Sequence, residues 1–270
     1  MAINRTEAIL LRSRELRETS LTVAFYTRDF GKINGVIKGV RGSRSHFGGG
    51  ALEPFAHDDI VFYEKKTSDI FLISQCDLVD FFPAVRSDLG RLAYAAYIIE
   101  LLDSITPLGD RNPDVFELTL RTLRFLSGKA SPRRVARIFE IRLLSLLGLM
   151  PSMASCVNCG ARQLKDAGFS LRSGGLVCRD CARKEPRTGA ILAGTVEFIK
   201  HIVTSDFETV SRIKVSEKVG KELEAILRRF LDYHIERRLN TVQFIKSLHT
   251  SSTSGVRPLK ASERSPDRRA

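Results

Sequence analysis

Two Cys-x-x-Cys pairs, Cys156/Cys159 and Cys178/Cys181, stand eighteen residues apart in a chain that holds only five cysteines. No other feature restricts the fold as much. Four thiolates at that spacing converge on one tetrahedral metal, and the pattern reads as a structural zinc (Zn2+) site. Four thiolates leave no open coordination position, so the metal is expected to clamp the chain and not to catalyse. Gly160, directly after the first pair, suits the tight turn of a metal knuckle. Arg179, Arg183 and Lys184 stand where they can neutralise thiolates or touch a nucleic acid. A segment this short is expected to lack its own core, and apparent metal free energies of roughly 10–16 kcal/mol are enough to fold it. The fifth cysteine, Cys76, lies in the apolar run FLISQC and is expected to be a buried thiol.

Charge narrows the function class. Lysine and arginine outnumber the acids 43 to 31, for a net charge of +12 and an isoelectric point near 9.8. Such a surface calls for a polyanionic partner, nucleic acid ahead of an anionic membrane. The N-terminal MAINRTE has no apolar signal core, and no apolar run is long enough to span a bilayer. The expected compartment is the cytoplasm, in association with the nucleoid, where paired thiols favour metal over disulfides. Enzyme signatures are missing: there is no His-x-Glu ahead of the cysteines, no His-Glu-x-x-His, no Gly-x-Ser-x-Gly and no Gly-x-Gly-x-x-Gly. The histidines His46, His57, His201, His234 and His249 are scattered. The chain is read as a binding protein with no catalytic residue.

Residues 1–82 alternate short β-rich runs with turns: Ala8–Ser13, Leu21–Thr27, Ile33–Lys38, Ile60–Tyr63 and Ile70–Cys76. Arg28-Asp29-Phe30-Gly31 suits a hairpin between the second and third. Five such strands predict a small barrel of the OB type, a common oligonucleotide binder, with an SH3-like barrel or a small sandwich as alternatives. Phe25, Tyr26 and Phe30 are candidate stacking platforms for bases, or else core aromatics. Between the third and fourth runs, residues 39–50 carry five glycines with Arg41 and Arg44, next to Lys38. A loop of this kind brings backbone N–H groups and cations close to phosphates. Arg12, Arg14 and Lys32 complete the basic candidates of this region.

Pro83 closes the strands, and helices follow. Ser87 or Asp88 caps the first, Asn112-Pro113 opens the second and Ser131-Pro132 the third; Pro107, Gly128 and Gly148 end them. A helical bundle is expected over 83–153, interrupted by the metal module at 154–184 and resumed over 185–248. The overall class is therefore α+β. The helices carry Arg121, Arg124, Arg133, Arg134 and Arg137, with Glu140 as the single acid between 119 and 150. Several of these cations are spaced three or four residues apart, where like charges repel, so they are candidate contacts for a polyanion. An alternative function follows: an adaptor whose basic helical face binds acidic peptides, with DNA contact incidental. Residues 249–270, rich in Ser and Arg, are expected to form a disordered basic tail.

Many short pieces, in order, resemble the RecO family of bacterial DNA repair proteins. They are Glu7–Arg12 (EAILLR), Glu18–Ser20, Tyr26–Gly31 (YTRDFG), Lys38–Arg41, Leu52–Phe55, Phe139–Leu144, Leu147-Gly148 and Cys156–Gly160 (CVNCG). The resemblance covers the chain up to about residue 248. It implies an OB domain, a helical domain and a four-cysteine module. It also implies binding of single- and double-stranded DNA without sequence preference, annealing of complementary strands, and work with RecR, the single-strand DNA-binding protein and RecA in recombinational repair.

Overall fold

A computed structural model describes residues 2–16, 19–40, 52–64, 69–162, 164, 166–185, 188–235 and 238–253. Five strands lie at the N-terminus: β1 (Ala2–Leu16), β2 (Ser20–Thr27), β3 (Gly31–Ile37), β4 (His57–Glu64) and β5 (Ile70–Asp80). They close into a barrel in the order β1-β2-β3-β5-β4, with every neighbouring pair antiparallel except β3 and β5. Closure depends on the length of β1. Its first half pairs with β4 and its second half with β2, and a register shift between Leu10 and Arg12 lets the strand bend from one to the other. All five expected strands are present, but β1 begins six residues before Ala8 and β5 runs four residues beyond Cys76, through flanks too polar to read as strand.

The barrel has two apolar faces. Alternate residues point inward to form its own core, including Leu10, Val23, Phe25, Ile33, Ile60, Phe62 and Cys76. Ile9, Leu11, Ala24 and Tyr26 point outward, yet they are equally buried because helices cover them. This double burial is why β2 reads as an unbroken apolar run.

The covering helices are α1 (Pro83–Arg86), α2 (Leu89–Ile105), α3 (Pro113–Leu126) and α4 (Pro132–Leu146). The Asp88 carboxylate accepts from Arg91 N–H and the Asn112 side chain from Val115 N–H, so both expected caps form. Ser131 holds the N-cap position of α4 but makes no side-chain cap bond. α2 is buried nearly all round, because it packs against β1, α3, α4 and the last helix.

Two joints hold barrel to helices. At the first, Gly31 has φ +63° and lies so close to the α2–α3 link that a Cβ would sit 2.1 Å from the Asp110 carbonyl oxygen. Gly109 N–H donates to the Lys32 carbonyl beside it at 2.9 Å. At the second, the Arg86 guanidinium carbon lies 4.0 Å from the centre of the Phe55 ring and 3.8 Å from that of Phe81. Arg86 also donates to the Phe81 and Pro54 carbonyls, each at 2.8 Å. Phe55 and Phe82, on either side of this clamp, both hold positive φ, 57° and 51°.

After α4 comes the cysteine segment, with β6 (Gly168–Ser170), β7 (Gly175–Val177), α5 (Arg179–Lys184) and β8 (Gly189–Ala190); the three strands form one small sheet in the order β7-β6-β8. The helices then resume as α6 (Ala193–Thr204), α7 (Phe207–Arg212), α8 (Glu217–His234) and α9 (Asn240–Thr253). α7 is too short to show a period in sequence. α9 is a correction: it runs through Thr253, so the first residues of the expected tail at 249–270 are helical, while 254–270 lie outside the described residues. Its start is fixed from α2, where Glu100 accepts from the N–H groups of Asn240 and Thr241, each at 2.9 Å.

Candidate metal centre and nucleic-acid interface

The four cysteine sulfurs lie within 4.8 Å of one another, and Cys159 Sγ is 3.7 Å from Cys178 Sγ. A tetrahedral metal with metal–sulfur bonds of about 2.3 Å spaces its sulfurs about 3.8 Å apart, so the quartet fits one such ion. The first pair sits on a knuckle in which Gly160 N–H donates to the Cys156 carbonyl at 2.8 Å and Gly160 adopts φ +76°. The second pair straddles the start of α5. Burial of Cys156 pushes its thiol up, but backbone N–H groups of Cys178, Cys159 and Asn158 outweigh this and bring it down to about 6. Among the described residues the segment has no core of its own, as expected, and packs its apolar side chains into that of the helices. Phe169 and Leu176 are buried in the main helical core, and the Phe169 ring lies 6.3 Å from that of Phe230 on α8.

Arg179 lies 3.8 Å from Asp166 across the module, an exposed pair of little energetic weight.

The basic candidates separate by what they touch. Lys32 and Arg12 converge on Asp103 of α2, at 3.5 Å and 3.2 Å, and Lys32 Nζ also donates to the Asp103 carbonyl at 2.7 Å. Lys32 is thereby buried and does not present its charge to solvent. Arg12 keeps a partly exposed side chain and also donates to Asn34 Oδ1 at 3.2 Å.

On the helices, Arg137 is 2.7 Å from Glu140, which is fully buried, so it too is not a surface cation. Arg134 donates to the Ser211 carbonyl at 2.9 Å, Arg121 is ion-paired with Glu208, and Arg133 with Glu224. The repulsion inferred among these arginines is relieved from within. α7 and α8 bring carboxylates across, which spacing within α3 and α4 has no means of revealing.

Arg14, Lys38 and Arg124 are exposed and form no ion pair with any described residue. Arg41 and Arg44 lie outside the described residues. Of the aromatic candidates, Phe25 and Tyr26 are 0% and 1% exposed and belong to the two cores, which rules them out as open platforms. Phe30 is half-buried, edge-on to Phe62 with ring centres 5.1 Å apart.

Family models for the N-terminal and C-terminal parts of recombination protein O match residues 1–82 and 86–243. The chain belongs to the RecO family. It is 34% identical over 254 residues to the DNA repair protein RecO of Desulforamulus reducens, covering 93% of this chain and 97% of that one. It is also 30% identical over 246 residues to the RecO of Alkaliphilus metalliredigens, covering 90% and 99%. The resemblance read from short sequence pieces is borne out, and membership places this RecO-family chain in DNA repair and recombination. No helix among the described residues is long and apolar enough to cross a membrane.

Sequence reasoning missed the acidic residues that organise the RecO-family fold: Glu100, Asp103, Glu185, Glu208, Glu222 and Glu224. Glu222 holds the start of α6, accepting from Leu192 N–H at 2.9 Å and from the Thr195 hydroxyl. Each acts on a separate segment of the chain, which no local spacing reveals.

Proposed function

We propose that this RecO-family chain is a non-enzymatic mediator that binds single- and double-stranded DNA without sequence preference, anneals complementary strands and helps load a recombinase onto DNA coated with single-strand binding protein. The observation that carries this reading is the five-stranded barrel with its strand order β1-β2-β3-β5-β4, which we read as an OB fold, on a chain of net charge +12. OB barrels track nucleic-acid backbones with cations and tolerate any base. We assign the contact to Arg14 and Lys38 on the barrel and Arg124 on α3, together with Arg41 and Arg44, which follow Lys38 in sequence, with Arg12 adding its charge. Annealing needs no nucleotide hydrolysis, because a surface that neutralises two strands lowers their mutual repulsion.

In this reading residues 1–82 are the DNA-binding domain, 83–153 and 185–248 one helical domain, and 154–184 a structural module closed by Zn2+. The metal would be held by Cys156, Cys159, Cys178 and Cys181 and supplies only cross-linking. The partners are RecR, the single-strand binding protein and, through them, RecA, in the cytoplasm with the nucleoid. An adaptor for acidic peptides gains less support, since Arg121 and Arg133 already carry carboxylates from Glu208 and Glu224.

The test is a salt titration of binding to fluorescent single-stranded DNA, alongside an annealing assay. Affinity is expected to fall with a log–log slope of about −0.7 per phosphate contacted. A flat response from low to moderate salt overturns the proposal.

A further inference from the structure

Glu185, one residue past α5, gathers three parts of the cysteine segment onto one carboxylate. Asn158, between the two cysteines of the first knuckle, donates its amide N–H to Glu185 Oε2 at 3.3 Å. Ser170, at the end of β6, donates its hydroxyl to Glu185 Oε1. Ser173, in the β6–β7 turn, reaches both oxygens, at 3.3 Å and 3.2 Å. Ser173 N–H in turn donates to Ser170 Oγ at 2.9 Å, so the turn is fixed within itself as well as to Glu185.

The geometry matters because the two cysteine pairs lie on separate pieces of chain. The first pair hangs on the hairpin through Val157 N–H, which donates to the Leu176 carbonyl at 2.9 Å. The second pair is continuous with α5, whose last turn delivers Glu185. The carboxylate therefore ties the end of the second cysteine unit back to the first knuckle and to the hairpin between them. None of its partners is a cysteine, so it acts on how the four sulfurs are held and not on their bonding.

We propose that Glu185 is a positioning residue for the metal site, holding the two cysteine pairs at coordinating distance so that the metal meets a preformed quartet. This rests on the reading of the quartet as a metal site. Groups that orient metal ligands from outside the coordination sphere typically change affinity about 10–100-fold when removed.

The experiment uses the full chain, stripped of metal and titrated with Zn2+ against a chromophoric chelator, and separately with Co2+, whose visible absorption reports a tetrahedral thiolate site. For Glu185→Ala, Zn2+ affinity is expected to drop at least tenfold while the Co2+ spectrum of the saturated protein keeps its four-sulfur shape. Glu185→Gln keeps the size and one acceptor but loses the charge and the second acceptor, and is expected to fall between the two. Equal affinity for wild type and Glu185→Ala overturns the proposal. So does a Co2+ spectrum that shows a lost thiolate, since that outcome makes the change a collapse of the site. If the wild-type chain takes up no metal, the reading of the quartet itself fails, which is a separate result. Far-ultraviolet circular dichroism of each variant confirms that affinity is compared between folded proteins.

Discussion

Arg137 and Glu140, one turn apart on α4, form an ion pair inside the helical core, with Arg137 Nη2 2.7 Å from Glu140 Oε1. The Tyr97 hydroxyl donates to the same carboxylate oxygen from α2. Glu140 is fully enclosed, and burial pushes its carboxyl up while Arg137 and Tyr97 pull it back. Removing one member of such a pair strands the other charge, at about 3–5 kcal/mol. Arg137→Ala is therefore expected to lower unfolding free energy by that amount in a urea titration. The double change Arg137→Met with Glu140→Leu is expected to recover most of it. A loss below about 1 kcal/mol for the single variant contradicts the buried-pair picture.

A second prediction concerns which cations face DNA. Arg14 and Lys38 are exposed, whereas Lys32 is spent on Asp103. The double variant Arg14→Ala, Lys38→Ala is expected to weaken single-strand binding several-fold and to flatten the salt slope by about 0.7 per contact removed. Lys32→Met is expected to leave the slope unchanged while lowering the melting temperature. A steeper loss of DNA affinity from Lys32→Met than from the double variant reverses the assignment.

Arg86 gives a third. Its guanidinium is held between the Phe55 and Phe81 rings and on two carbonyls, so lysine cannot replace it. Two cation–π contacts at a half-buried guanidinium, at about 0.5–1 kcal/mol each, together amount to about 1–2 kcal/mol. Arg86→Lys is expected to cost about that much, and hydrogen exchange is expected to accelerate at residues 52–56 and 81–86 before anywhere else in the barrel. Uniform acceleration across the chain argues against a local clamp.

The pH dependence of the barrel turns on Asp58. It is 0% exposed on β4, and burial raises its carboxyl to about 8 against the lowering effects of Cys76 and Arg86. The folded chain therefore keeps a proton that the unfolded chain releases near pH 4. Between those limits the unfolded state binds fewer protons, so stability falls as pH rises, by up to about 1.4 kcal/mol per pH unit. Asp58→Asn removes this slope and is expected to be more stable than wild type at pH 8, by thermal melts across pH 5 to 8. The difference between the two proteins isolates Asp58 from other titrating groups such as His57, and parallel profiles for wild type and Asp58→Asn refute the protonated state.

A chelator supplies a fifth test. Because Phe169 and Leu176 are anchored in the helical core, metal removal is expected to loosen the two cysteine-bearing pieces, 154–162 and 178–185, while the β6–β7 pairing and the barrel persist. Hydrogen exchange with and without chelator measures this, and global unfolding contradicts it.

Much of this was legible in the chain. The cysteine spacing located the four-sulfur cluster, Asp88 and Asn112 announced their helices, and the β-rich runs marked all five strands. What stayed hidden depends on contacts between distant segments. The spacing of arginines on α3 and α4 is visible, but Glu208 and Glu224 reach them from more than eighty residues away. Tyr26 sits beside a turn, as a stacking residue would, and only the packing of α3 shows that its outward side is interior. α9 has a Ser/Thr-rich end that argues for coil, and its start is fixed by Glu100, an acid on a different helix.

The outward apolar face of the barrel has a consequence for synthesis. Ile9, Leu11, Ala24 and Tyr26 leave the ribosome well before the helices that cover them. Until those helices arrive, the nascent barrel is closed inside but unshielded outside. The barrel cut at residue 82 would keep that bare face permanently, so the first third of this chain is a folding unit that depends on what is translated after it.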